Sequence, residues 1–580
     1  MKQRSETLKL GIVMLLLLFP VLLSAKPRFV YVEISGNTTF SKTTIFENIG
    51  LELPAWYEFW KPKKAAVNPK IINSLQESLS NFYISEGFYH VKIAKKAHNQ
   101  TVHFTIHEGK PVIVRYIKIK SDYPIKQLIT LHRKERFRTN SFVHSKKVIK
   151  KTMFQEGYCN YNLDAKAYVD MKKNIADLYF KLQHNMPCFF GLINIHPPKG
   201  ISKKVVRSRL LFHSNERYSL DKINKTYSTL SGLEAFDGIQ IETHKKQSRI
   251  DTTISLYPKR KPTRREVGIG YETNYGFKAF LHWNRKNFKG NARKLSFDLK
   301  YSQKEKLIKN SFYWPALLKI PGFDYYMDFK NEFSYSKLTY DNFEEKKIAD
   351  KVHLLTDHDW FSVDVGAGLE QITIRKFQDI CNISAGDFFL FYPYGEVIFD
   401  LRNDKINPRK GIYLSQYLEG GIRYLLSEVS YAKGITEGRA IYTYHRFTMA
   451  AKSRFGLLKE FDNRLPESKL FYAGGAFSNR AYSYNELGAF DAECGNIGGR
   501  TLLDNSLEIS HPVYKQLDLA FFWDSTMISQ ETLNFNLDFK HGIGTGLRYN
   551  TVIGPVKFDI GFDPADTKQY AIHFQIGQSY

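Results

Sequence analysis

Residues 471–482 read Phe-Tyr-Ala-Gly-Gly-Ala-Phe-Ser-Asn-Arg-Ala-Tyr. Gly474 and Gly475 permit a backbone bend that side chains forbid. A single cation, Arg480, follows between Asn479 and the small Ala481, with Tyr482 next. On both flanks, apolar and polar residues alternate over long runs, the period of β-strands. A glycine-bent loop carrying one arginine between long strands suits a loop that folds back into a barrel. An ordinary surface loop fits the same residues equally well.

Working outward, the alternation begins at Arg264 and continues to the C-terminus. Glycine-rich turns separate segments of about ten residues, as in a transmembrane barrel. At roughly 20 residues per strand and loop, this length holds about 16 strands. In the last segment Tyr570, Ile572, Phe574, Ile576 and Tyr580 share one face, and Ala571, His573, Gln575, Gly577 and Ser579 the other. That is a strand with lipid outside and lumen inside. Aromatics make up 15% of the chain, with 36 Tyr and 44 Phe, which suits aromatic girdles at membrane interfaces. Beyond the N-terminus no apolar run is long enough to span a bilayer as a helix, so a membrane crossing here requires a closed barrel.

The first 25 residues read as a signal peptide. Lys2, Arg4 and Lys9 precede an apolar core, Leu10 to Leu23, and a small-residue exit, Ser24-Ala25. From Lys26 to Lys261 there are 41 Lys+Arg against 19 Asp+Glu, a net of +22 out of the total +26. The barrel segment is nearly neutral. The basic half suits an anionic lipid surface or an acidic partner, or is a solvated lysine-rich surface. Export and the absence of a binding motif argue against nucleic acid. Cys159 and Cys188 lie in the soluble half, Cys381 and Cys494 in two expected loops on one side of the barrel, and pairing is expected within each set. No spacing suits zinc, and no cofactor motif stands in an enzyme's context. Gly542-Ile543-Gly544-Thr545-Gly546 falls in a strand hairpin and does not precede a helix, so it is not a dinucleotide loop.

A weak repeat fills the soluble half. Unit one has a strand at Phe29–Ile34, helices near Thr43–Ile49 and Pro69–Ser85, then Gly87, an alternating strand Phe88–Ile93, and a strand Val102–His107 closed by Glu108-Gly109. Unit two has strand Val114–Ile119, helix Ser145–Phe154, Gly157-Tyr158 and strand Ala176–Leu182. Unit three has strand Leu192–His196, helix Ser219–Leu230, Phe236-Asp237-Gly238 and strand Asp251–Leu256. Edge strands of such small units can accept another chain by strand addition. Trp56, Tyr57, Phe59 and Trp60, beside Lys61, Lys63 and Lys64, suit either a membrane interface or the core of unit one.

The opening stretch resembles the loop motif of the outer-membrane insertase superfamily that includes BamA and TamA, where Arg-Gly-Tyr or Arg-Gly-Phe follows a Gly-Gly turn. Ala481 stands where that family has glycine. The repeats resemble POTRA (polypeptide-transport-associated) domains, with strand, helix, helix, strand, strand order. Asn287 to Pro315, Asp400–Asn403 with Asn407–Gly411, Phe521–Ser525 and Gly554–Asp559 resemble further family stretches, in the family's order. The terminal strand resembles the signal by which outer-membrane barrels are recognised for assembly.

The resemblance implies POTRA domains at 26–111, 112–187 and 188–261 and an outer-membrane barrel of the bacterial surface antigen type at 262–580. It implies that Arg480 enters the lumen and pairs with Asp524. It also implies a lateral seam between the first strand, with Val267, Gly268 and Gly270, and the last, with Phe574, Gly577 and Tyr580. Three POTRA units resemble the TamA branch of the family, which implies client outer-membrane proteins, outer-membrane lipids and a TamB-like inner-membrane-anchored periplasmic protein as partners. A BamA-like insertase with fewer POTRA units, a two-partner secretion transporter and a passive porin with periplasmic adaptors are the alternatives. No catalytic, cofactor or metal role is expected.

Overall fold

The computed structural model describes residues 30–576, apart from 52, 54–63, 99, 273–275, 322–325, 341–342, 358–359, 378–383, 463, 492–494, 536–537, 552–553 and 567. The signal-peptide residues, the Trp56–Trp60 cluster, Cys381, Cys494, Gly577 and Tyr580 lie outside the described residues. Among those described, no helix is long and apolar enough to cross a membrane.

The first repeat contains β1 (Val30–Ser35), α1 (Lys42–Asn48), β2 (Ala65–Val67), α2 (Ile72–Ser85), β3 (Lys92–His98) and β4 (Thr101–His107). Its sheet runs β2-β1-β4-β3, with β1 and β4 parallel. Leu75, Leu79 and Tyr83 of α2 pack on Val32, Ile34, Phe104 and Ile106. The expected strand at Phe88–Ile93 starts instead at Lys92. Gly87 takes φ 92° and Phe88 N–H closes back onto Tyr83 O at 2.9 Å, a glycine stop that turns Phe88 into the core.

The second repeat contains β5 (Ile113–Ser121), α3 (Thr139–Gln155), β6 (Asn162–Asp170) and β7 (Ile175–Gln183), in sheet order β5-β7-β6. Helix α3 starts six residues before the expected Ser145, because Phe142 already belongs to its buried face. The sequence reading missed β6, whose inner face carries Leu163, Ala165, Ala167 and Val169. The third repeat contains β8 (Phe189–His196), α4 (Lys203–Arg207), α5 (Leu220–Gly232), β9 (Phe236–Lys246) and β10 (Arg249–Pro258). Phe236-Asp237-Gly238, placed between the helix and the last strand of unit three, is the start of β9.

The chain forms two compact units. The first is Met1–Gly191 with Ser214–Asp221 and Lys245–Ile250, and the second is Leu192–His213, Lys222–His244 and Asp251–Tyr580. In the first unit the joints follow one plan. Val112 N–H donates to Gly87 O at 2.9 Å, and Arg136 stacks on Phe88 and donates to Glu86 at 2.7 Å. In the same way Cys188 N–H donates to Gly157 O at 2.7 Å, and Arg217 stacks on Tyr158 and donates to Glu156 O at 2.9 Å. A Cβ on Gly87 or Gly157 would lie 2.3 Å from Phe137 O or 2.6 Å from Tyr218 O, so only glycine allows the approach. Cys159 and Cys188 form a disulfide across the second joint.

Much of the third repeat clusters with the barrel strands in the second unit. Asn291 N–H donates to Gly200 O at 2.7 Å, and Arg209 donates to both oxygens of Asp328 at 2.7 and 2.8 Å. Lys286 pairs with Glu234 at 3.0 Å.

The second unit carries a 16-stranded antiparallel sheet. Its first strands are β11 (Thr263–Glu272), β12 (Gly276–Lys286), β13 (Lys294–Ser302), β14 (Glu305–Lys319), β15 (Tyr326–Thr339) and β16 (Phe343–Asp357). There follow β17 (Phe361–Lys376), β18 (Gly386–Asp400), β19 (Lys410–Gly421), β20 (Tyr431–Tyr444) and β21 (Phe447–Glu460). A long loop carries the small hairpin β22 (Ala489–Asp491) and β23 (Gly495–Ile497). The sheet resumes with β24 (Thr501–Tyr514), β25 (Leu517–Ser529), β26 (Lys540–Thr551), β27 (Gly554–Phe562) and β28 (Tyr570–Ile576). Every strand pairs with its neighbour in sequence, except that β21 pairs with β24 across the loop. Among the described residues no ladder joins β11 to β28.

Candidate functional site: the arginine loop and the terminal strand

The loop between β21 and β24 folds onto the inner face of the sheet. Leu465, Leu470, Phe471, Ala473, Tyr482 and Leu487 share one apolar cluster with inward-facing Ile372, Leu390, Tyr392 and Leu502 of the wall. That burial supplies the drive that holds the loop in the lumen. Gly474 and Gly475 take φ 97° and 99°, left-handed values that close a tight hook. Within it Gly475 N–H donates to Tyr482 O at 2.9 Å, and Gly474 N–H to Ser478 Oγ at 3.2 Å. Ala481 is not among the residues with left-handed backbone, so it stands in the family's glycine position without strain.

Arg480 is 3% exposed and Asp524 is fully buried. Arg480 Nε donates to Asp524 Oδ2 and Nη2 to Asp524 Oδ1, both at 2.9 Å, and its backbone N–H reaches Oδ2 at the same distance. This is the two-pronged grip that a guanidinium gives a carboxylate. Nη1 donates to Glu508 Oε2 at 2.7 Å, Nη2 to Ser506 Oγ at 3.0 Å, and the guanidinium lies 3.6 Å over the Phe522 ring. Glu508 also accepts from Arg548 Nη2 at 2.8 Å, and Arg548 Nη1 donates to Asp559 at 2.6 Å. A buried charge is costly unless paired, and here acids and bases alternate through a chain of contacts.

Sequence reasoning missed Ser506, Glu508, Phe522, Arg548 and Asp559. Ser506 and Glu508 stand opposite Asp524 and Phe522 in the β24–β25 register. Strand alternation placed them on the inner face, but the register needed to bring them together is nonlocal. Tyr482 donates its hydroxyl to Asp563 in the turn after β27. Also missed was Lys469, which sits 3.0 Å from Glu370 and 3.5 Å from Glu419 and lies 3.8 Å over the Tyr392 ring. It anchors the base of the loop to β17, β18 and β19, away from the strands that hold Arg480.

The terminal strand meets the loop directly. His573 Nε2 lies 3.1 Å from Arg480 O, and Gln575 Nε2 donates to Ala476 O at 2.8 Å. Gln569, just before β28, donates to Ala481 O at 3.3 Å and to Glu486 at 3.1 Å. Glycines in the wall make room. A Cβ on Gly561 would lie 2.3 Å from Arg480 O, and one on Gly542 would lie 2.3 Å from Asn479 Oδ1. On β11, Gly268 and Gly270 stand opposite Phe280 and Lys278. Val267 and Ile269 are 75% and 89% exposed, and Phe574 on β28 is 67% exposed.

The model of the Omp85 superfamily domain matches residues 287–580. The protein named outer membrane protein assembly factor BamA from Nitratidesulfovibrio vulgaris is 21% identical over 445 residues, covering 73% of this chain and 55% of that protein. Its namesake from Buchnera aphidicola is 22% identical over 324 residues, covering 52% of each. The chain spans about half the length of these curated relatives. The crystal structure of BamA from Haemophilus ducreyi lacking POTRA domains 1–3 superposes with a TM-score of 0.51 at 13% identity, covering 81% of this chain and all of that one, a likeness of fold. With its barrel matched over more than half of the sequence and POTRA-like units before it, this chain belongs to the Omp85 superfamily, as an outer-membrane protein with its N-terminal domains in the periplasm.

Proposed function

We propose that this protein is a TamA-like assembly and translocation factor that inserts client barrel or autotransporter proteins through a lateral seam between β11 and β28. One observation carries the reading. The strand at the sheet's end has no ladder to β11 among the described residues, and its inward side chains hold the carbonyls of the arginine loop. An unpaired edge offers its N–H and C=O groups to a client strand. A loop fixed both to the far wall and to β28 couples the state of the lumen to the state of that edge. The loop-filled lumen also speaks against a passive porin.

The test is a disulfide placed across the seam, from an engineered cysteine on β11 to one on β28. Client assembly is expected to stop on oxidation and return on reduction. Normal assembly with the seam locked rules out lateral opening. The partner assigned on this reading is a TamB-like periplasmic protein docking on the first repeat. Deleting Arg28–Gly109 is expected to abolish its co-purification while leaving the barrel inserted. A BamA-like insertase, the reading closest to the relatives' names, needs no such partner, and undiminished co-purification removes the docking assignment.

A further inference from the structure

The sheet of the second repeat has one face buried under α3 and the other open. Its strands pair Tyr116 with Asp177, Lys118 with Tyr179 and Lys120 with Lys181. On the other side, Tyr168 pairs with Asp177, Lys166 with Tyr179 and Asp164 with Lys181. These nine residues make a three-by-three grid on the open face, while Leu178, Phe180, Ala165 and Ala167 line the covered one.

Two features set the grid apart from an ordinary solvated sheet. Tyr116, Tyr168 and Tyr179 form one aromatic cluster, with ring centroids 5.7 and 5.5 Å apart and edge-to-face geometry. The hydroxyls of Tyr116 and Tyr179 are hydrogen-bonded to each other, which fixes both rings. Tyr168 is 58% exposed, and the Arg115 guanidinium lies 5.0 Å over Tyr116. The charges are also sorted. Arg115 holds Asp177, and Lys166 holds Asp164 at 2.9 Å, so both acids are already neutralised. Lys118, Lys120 and Lys181 are exposed and have no ion-pair partner among the described residues.

We infer that this face docks an acidic polypeptide segment lying extended across it, with carboxylates on the three lysines and an aromatic or apolar side chain on the tyrosines. Charge complementarity selects the occupant's sign. Geometry selects a polypeptide over a headgroup layer. Lys118 and Lys120 are about 7 Å apart along their strand and Lys181 about 5 Å from Lys120 across the sheet, the spacings of side chains on one face of an extended chain. A lipid surface supplies charge without an apolar side chain at that pitch. The rings are ordered before binding, so little conformational freedom is lost on contact. The surface is distinct from the sheet edges.

The test uses the full-length protein in zwitterionic lipid nanodiscs and a fluorescein-labelled twelve-residue peptide, Phe-Ser-Glu-Ser-Glu-Ser repeated twice, whose neighbouring carboxylates on one face are about 7 Å apart. This probe places Glu and Phe on one face. Its anisotropy is expected to rise on binding, with affinity falling steeply as salt is added. The variant Lys118→Gln/Lys120→Gln/Lys181→Gln is expected to weaken binding at least tenfold. Tyr179→Leu is expected to weaken it at least threefold, and Lys147→Gln/Lys150→Gln/Lys151→Gln on α3 to leave it unchanged. No binding, or equal loss in the α3 variant, overturns the proposal. So does a result in which the triple variant abolishes capture by phosphatidylglycerol vesicles while peptide binding stays intact, since that makes the face a lipid contact.

Discussion

His573, on the last strand of the sheet, holds the carbonyl of Arg480, on the tip of the lumen loop, at 3.1 Å. The residue that grips the wall through its side chain is thus tied by its backbone to the strand at the end of the sheet.

Replacing Arg480 with alanine leaves Asp524 buried without its main partner and takes from Glu508 one of the two arginines that hold it. A cost of about 3–5 kcal/mol is expected for a buried pair broken on one side. Arg480→Lys keeps the charge but loses the fork, and is expected to restore only part of this. The temperature at which the folded barrel loses its compact gel mobility reads the effect. An unchanged temperature in Arg480→Ala means that the network does not brace the loop.

A methyl group on Gly561 or Gly542 enters the space held by the loop tip. Gly561→Ala and Gly542→Ala are expected to lift the tip and cost about 1–3 kcal/mol. Trypsin treatment of the folded protein should then cut after Arg480, as mass spectrometry of the fragments will show. Gly438, with nothing within 4 Å of a built Cβ, is the control, and Gly438→Ala should remain uncut there.

Glu108 closes the first repeat. It accepts from the backbone and hydroxyls of Thr38 and Thr39, and from the Tyr83 hydroxyl at 3.0 Å. Burial raises its pKa, but the hydrogen bonds from Thr38, Thr39 and Tyr83 outweigh it and hold the carboxyl below its ordinary 4.5. A group depressed in the folded state contributes stability above its unfolded pKa and loses it as pH falls through the folded value. The repeat is therefore expected to keep this stability above about pH 5 and to lose it on acidification below that. Glu108→Gln should flatten that dependence, measured by hydrogen exchange across β1 and β4 between pH 3 and 7.

The Cys159–Cys188 bridge spans 29 residues. Closing a loop of that length removes about 3–4 kcal/mol of chain entropy from the opened state. Cys188→Ser is expected to raise exchange at Gly157–Asn160 and at the start of β8, while the joint at Gly87 keeps its protection. Equal exchange in both proteins means that the hydrogen bonds alone hold the second joint.

The barrel was legible because alternation and turn spacing repeat at every strand, so errors at single residues do not accumulate. The Arg480–Asp524 contact was legible only through a motif, since nothing local links residues 44 apart in sequence. Glu508, Arg548 and Asp559 each look like any inward polar residue until the register is known. Lys469 reads as solvated in sequence, yet it is buried against two acids and a ring. In the first repeat, alternating aromatics after Gly87 imitated a strand where the chain was still turning off its helix. The strand β6 was missed for the opposite reason, because two of its four inward residues, Ala165 and Ala167, carry little apolar signal.

The joints at Gly87 and Gly157 use the same parts: a helix-ending glycine, the aromatic after it, and an arginine from the next unit. Among the described residues, the contacts named at each joint come from the two repeats it connects. At each, a glycine carbonyl accepts from the next repeat's first strand region and an aromatic ring takes an arginine, Phe88 with Arg136 and Tyr158 with Arg217. A repeat joined in this way carries its half of each joint with it, so a different number of repeats needs no new kind of interface.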